Sequence, residues 1–204
     1  MKKHLYIIPI LFLFSMLVTA QDKNYEFVIG GGIETPISPS AFSDIFDLGF
    51  TGKLAAGYFV SPQLALGANL SYNRFGLNES GFMKEIGVPV DPNLTISGGD
   101  LSIFEFAGVG KYYLMPRERS TNFYILGGPG VAVSRIGEIT VKSPDGTSTS
   151  EDSSSETDFL LTGGIGLKQQ LNSNLGLFVE GRYSYIFTAD ESTSYLPVRI
   201  GFIF

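Results

Sequence analysis

The chain has 204 residues, 14 of them basic and 20 acidic, for a formal net charge of −6, with one histidine and no cysteine or tryptophan. An acidic balance argues against a nucleic-acid partner. The missing thiols exclude a disulfide framework and a lipid-bearing cysteine.

The first predicted element is MKKHLYIIPILFLFSMLVTA, residues 1–20. A basic start at Lys2 and Lys3, an apolar run to about Val18 and small residues at its end read as a secretory signal peptide cleaved after Ala20. The run is short for an anchoring helix, contains Pro9 and lacks a charged stop on its far side. Cleavage leaves 21–204, 184 residues and one domain's worth of chain. Lys2 and Lys3 leave with the leader, so 12 basic against 20 acidic residues give −8. The only histidine, His4, leaves too. No later segment approaches the ~20 apolar residues of a spanning helix, although strands can also cross a membrane.

Eight runs of period-two alternation follow: 25–34, 48–60, 64–75, 101–114, 122–135, 158–170, 175–187 and 195–204. In the third, Leu64, Leu66, Ala68, Leu70 and Tyr72 share one face, and Ala65, Gly67, Asn69, Ser71 and Asn73 the other. In the last, Leu196, Val198, Ile200, Phe202 and Phe204 lie opposite Pro197, Arg199 and Gly201. No helix is predicted after the leader. Strand glycines such as Gly30–Gly32, Gly127–Gly128 and Gly163–Gly164 suit the close packing of a narrow barrel. Pro129 stands inside the fifth run, where a bulge or kink is expected because proline offers no N–H. Which face of that run meets lipid is left open.

Connections after the second, fourth and sixth runs are short (61–63, 116–121, 172–174), whereas 35–47, 76–100 and 136–157 are long and 188–194 is brief. Alternating short turns and long loops predict an all-β fold: an eight-stranded antiparallel up-and-down transmembrane β-barrel, its turns periplasmic and its loops outside. A soluble barrel would alternate as well. The polar faces choose between the two, since they carry mostly Gly, Ala, Ser, Thr and Asn. Charge there is limited to Glu26, Glu34, Lys53, Glu105, Lys111, Lys168, Glu180, Arg182 and Arg199. Those faces suit a lumen, and the apolar faces suit outer-membrane lipid. Aromatics near the strand ends read as interfacial girdles: Tyr58, Tyr112, Tyr113 and Tyr124 by the turns, and Tyr72, Phe75, Tyr185, Phe187 and Tyr195 by the loops.

These features together resemble the small outer-membrane barrels of the OmpA/OmpX type and, more narrowly, the outer membrane protein beta-barrel domain family. The resemblance spans 25–204 and rests on pattern rather than an invariant motif. It implies that the terminal RIGFIF, with Phe202 and Phe204, is the closing strand and the assembly signal read by the barrel-insertion machinery. A chain stopping at Phe204 is expected to lack the peptidoglycan-binding domain of larger OmpA-like proteins. Barrel hydrolases of similar fold use a histidine base, which 21–204 does not contain. No glycine cluster has phosphate-loop or dinucleotide spacing, and no cofactor is expected.

Lys53, Glu105, Lys111, Lys168, Glu180, Arg182 and Arg199 read as a lumen charge network. A lumen of eight strands is just filled by side chains, and paired charges there would brace and plug it. The alternative is an ion path. Loop 136–157, with Asp145, Glu151, Asp152 and Glu156, reads as a solvated mobile segment without EF-hand spacing. Loop 76–100 is apolar at Phe82, Met83, Ile86, Val88 and Val90, which marks either a partner surface or a fold-back over the barrel mouth. The leading functional expectation is a non-catalytic structural or adhesive surface protein whose loops 76–100 and 136–157 meet an external partner. A narrow channel and a periplasmic ligand-binding barrel are the alternatives.

Overall fold

A computed structural model describes residues 24–85, 87, 95–142, 148–189 and 191–204. The signal peptide and its cleavage site, Ile86, Val88, Val90 and Asp145 lie outside the described residues. The barrel strands are β1 (Tyr25–Ser38), β2 (Gly49–Phe59), β3 (Leu64–Phe75), β5 (Leu101–Tyr113), β6 (Thr121–Ile136), β9 (Ser154–Asn172), β10 (Leu175–Phe187) and β11 (Thr193–Ile203). Outside the barrel lie β4 (Thr95–Gly98), β7 (Ile139–Lys142), β8 (Ser148–Glu151), and two short helices, α1 (Ser40–Ile45) and α2 (Glu79–Glu85).

The eight strands close in the order β1-β11-β10-β9-β6-β5-β3-β2, every pair antiparallel. Alternation fixes the register, since a one-residue slip would turn each apolar face to the wrong side. One outward row runs Leu54–Leu70–Phe106–Val131–Phe159 across five strands. The row beside it, Lys53–Ser71–Glu105–Ala132–Asp158, faces inward. The exposed outer face is therefore apolar, from Phe50 (71%) to Ile165 (68%), which removes the soluble periplasmic barrel. The same rows settle the fifth predicted run: Phe123, Ile125, Val131 and Val133 point outward.

Phe202 faces outward as expected. The Phe204 N–H donates to the Phe27 carbonyl at 2.9 Å and its own carbonyl accepts from the Phe27 N–H at 3.1 Å, so the terminal residue continues the closing ladder. Small residues make the lumen passable to rings. A Cβ on Gly30 would come within 2.6 Å of the Phe178 ring, and one on Gly166 would collide with the Tyr124 ring.

Four expectations are corrected. Helices do form: α1 and α2 lie in the first two long loops, too short to carry the 3.6-residue periodicity that reveals a helix in sequence. Loop 136–157, expected as a solvated mobile segment, is exposed but among its described residues largely β structure. β9 starts at Ser154 and pairs with β6 to its end, while β7 and β8 form a hairpin to which β4 adds. The predicted girdle splits. Tyr58, Tyr72, Tyr112 and Phe187 are exposed, whereas Tyr113, Tyr124, Phe75 and Tyr195 are buried in the lumen. Finally, Pro129 causes no bulge. The β5–β6 register is the same on both sides (Ala107↔Gly130, Gly110↔Gly127), and the two pairs between are skipped. Omitting a hydrogen bond that proline cannot donate leaves the register intact.

Candidate functional site

Inward-facing positions bring the predicted charges into one stack, and three of the four ion pairs among them and Glu26 run across the lumen. At the turn end, β1 supplies Glu26, whose carboxylate accepts from the Lys111 ammonium and the Tyr113 hydroxyl of β5. Lys111 Nζ also stands 4.8 Å from the centre of the Tyr124 ring. Phe59 stacks on Tyr113 at 5.7 Å and Tyr113 meets Tyr124 at a tilt at 5.4 Å, filling this end with rings.

In the middle, Glu180 of β10 receives Lys53 Nζ of β2 at 2.8 and 3.0 Å, Arg182 Nε at 2.5 Å and the Tyr124 hydroxyl at 3.1 Å. The carboxylate and both cations are almost fully buried, so their pairing is what makes the charges tolerable.

Toward the loops, Arg199 of β11 lies opposite Glu180 in register, yet its carboxylate partner is Glu105 of β5 across the barrel, at 4.0 Å. Arg199 Nε donates to Thr51 Oγ1 (3.0 Å) and Nη2 to Asn73 Oδ1 (3.2 Å), while the Tyr195 hydroxyl donates to Glu105. Above them, Phe75 meets Tyr195 at 5.6 Å, and Phe42 of α1 lies edge-on over Phe75 at 5.3 Å. The outer mouth is thereby capped by a helix from the first loop.

Six of the seven predicted network residues join cross-lumen or same-strand ion pairs. Lys168 is buried but contributes no ion pair among the described residues, standing 5.8 Å from the Tyr113 ring centre. Glu26, Tyr113, Tyr124, Tyr195, Thr51 and Asn73 are members that the network expected from sequence left out. Glu34 is wholly buried, and neither of its oxygens has a hydrogen-bond partner among the described residues. A half-open pocket of about 30 Å³ lies beside Glu26, Lys53, Asn69, Lys111 and Arg182 and reaches the outward-facing Leu66.

Above the barrel, α1 and α2 pack together. The Asn78 N–H donates to the Ile45 carbonyl at 2.7 Å, Asn78 Nδ2 donates to Asp47 Oδ1 at 2.9 Å, and Gly81 lies so close to the Asp44 carbonyl that no Cβ fits between them. Met83 is buried, as a loop folded back over the mouth requires. The β4–β7–β8 sheet ties the second and third long loops to each other.

Among solved structures, Neisserial surface protein A matches with a TM-score of 0.52 at 17% identity, covering 87% of this chain and 95% of its own. Ail, the attachment invasion locus protein of Yersinia pestis, matches with a TM-score of 0.51 at 15% identity, covering 89% and 99%. The outer membrane protease OmpT from Escherichia coli gives 0.46 at 11% identity, covering 89% and 96%, too loose a match to argue from. None of the curated proteins matches the sequence. The model of the outer membrane protein beta-barrel domain matches residues 7–202. Closed eight-stranded topology, an apolar outer face and that match lead to one conclusion: the chain belongs to the outer membrane protein beta-barrel domain family.

Proposed function

We infer that the protein is a non-catalytic outer-membrane barrel whose working surface is its extracellular platform, exported by residues 1–20 and assembled through its last strand. The observation that carries this reading is the contrast between the two candidate working parts. The lumen is crossed by charge pairs at three levels, and Phe42 packs on Phe75 at its outer mouth. The long loops, in contrast, are organised into a helix pair and a three-stranded sheet. Ordering a loop costs about 1–2 kcal/mol per residue in backbone entropy, so a mere connection gains nothing from such order. With His4 in the leader, a histidine base is also missing from 21–204. Ail, a barrel of the same outline, is an attachment invasion locus protein; at 15% identity that likeness carries the fold and not the role.

The test is whole-cell adhesion. Cells displaying the intact barrel are compared with cells displaying a barrel whose residues 137–153 are replaced by a short turn, on bare and protein-coated surfaces. Loss of adhesion with unchanged heat-dependent gel migration supports the platform. Undiminished adhesion of the trimmed barrel refutes it.

A further inference from the structure

We propose that Arg74, Ser102 and Arg135 form an outward-facing cradle for the phosphate of an outer-leaflet lipid headgroup. The three residues occupy one register row on three adjacent strands, Arg74↔Ser102 and Ser102↔Arg135. Parity turns all three to the lipid side, because each stands two positions beyond an outward residue of its own strand: Tyr72, Phe104 and Val133. The row below is thus Tyr72–Phe104–Val133, and the next is Leu70–Phe106–Val131. Two residues along a strand amount to about 7 Å, which sets the arginines one step nearer the loops than Tyr72, Phe104 and Val133, with the exposed Phe50 next to Arg74 in the same row. All three lie at the ends of β3, β5 and β6 that carry the long loops, the outer-leaflet side.

The chemistry fits a phosphate rather than a neutral headgroup. Neighbouring strands are about 4.8 Å apart, so the two arginine Cα atoms stand about 10 Å apart, a distance that two extended arginine side chains can span. Tyr72 Oη lies 3.1 Å from Ser102 Oγ and helps to orient it. Asp100 Oδ2 accepts from Arg74 Nε (3.2 Å) and Nη2 (2.5 Å), fixing that guanidinium and consuming one unit of charge. Arg135 is exposed and has no carboxylate within ion-pair distance among the described residues. The row therefore keeps one net positive charge on an otherwise apolar wall, and guanidinium forks suit phosphate oxygens.

The experiment uses the full chain, purified in detergent from membranes and mixed with phosphatidylcholine vesicles carrying either bisphosphorylated lipid A or its dephosphorylated counterpart. Lipid retained by the re-isolated barrel is quantified. The expected result is selective retention of the phosphorylated form, resistant to excess inorganic phosphate. Retention falls roughly fivefold for Arg74→Gln or Arg135→Gln, the upper range for an exposed charge pair. Arg135→Lys keeps part of it, and Arg119→Gln, on a periplasmic turn, leaves it unchanged. Equal retention of the two lipids by the unaltered protein overturns the proposal and requires no variant to fold. So does undiminished retention by a folded double variant. Displacement by inorganic phosphate would show a free-anion site and overturn the lipid assignment.

Discussion

Glu180→Gln tests the bracing role of the lumen charges most directly. The substitution keeps the side-chain shape and part of the hydrogen bonding while removing the one negative charge that Lys53 and Arg182 share. At an effective dielectric of about 20, attraction at the observed 2.8 Å and 2.5 Å is worth about 6–7 kcal/mol for each contact before costs. Desolvation of three ions and mutual repulsion of the two cations offset most of it. What the variant exposes is the cost of stranding two buried cations, so the expected loss is about 3–5 kcal/mol. Urea unfolding of the barrel reconstituted in lipid vesicles, followed by far-UV circular dichroism, reads the change. Adding Lys53→Met should recover part of the loss, because one stranded cation disappears. A loss below about 1 kcal/mol, the scale of an exposed pair, would show that the charges are solvated and that the brace is not a brace.

Planar-bilayer recording of the unaltered barrel should show no discrete ion-selective openings. Phe42→Ala should stay silent too, because the layers of Glu180 and Glu26 remain closed beneath it; openings in either would return the lumen to a transport role. Gly81→Ala should force α1 away from α2, making residues 39–48 sensitive to protease while barrel unfolding shifts by no more than about 1 kcal/mol. Unchanged cleavage would mean that the close approach is relieved elsewhere. Phe202→Ala and Phe204→Ala should lower the amount of protein reaching the outer membrane in cells while leaving refolding into vesicles nearly unaffected. Equal defects in both assays would make these residues structural rather than a signal.

Strand number, the outward face of every run but the fifth, and the charged inward positions were legible in sequence because each follows from period-two alternation. The aromatic error shows what happens when that rule is set aside. Tyr113 shares parity with Lys111, Tyr195 with Arg199 and Phe75 with Asn73, so counting alone places them inside. Reading them by nearness to a strand end put them in the girdle instead. The partners of the charges were not legible. Glu105 and Arg199 are far apart in sequence and four strands apart around the barrel, and which side chains meet across a lumen depends on tilt and stagger. The platform was hidden for a different reason. β4 and β8 are four residues each, and their order comes from pairing with distant segments rather than from local pattern.

The seam between β1 and β11 has a kinetic consequence. Val28 pairs with Ile203, and Ile33 with Val198, so contacts that close the wall join positions near opposite ends of the described chain. Until they form, every partly assembled sheet has two open edges whose N–H and C=O groups find no partner in hydrocarbon. Insertion one strand at a time would thus pass through a series of high-energy intermediates, each worse in lipid than in water. Long-range pairing of this kind also slows the search for the native register. The geometry accordingly favours late, concerted closure, in which β1 and β11 meet as the barrel enters the bilayer.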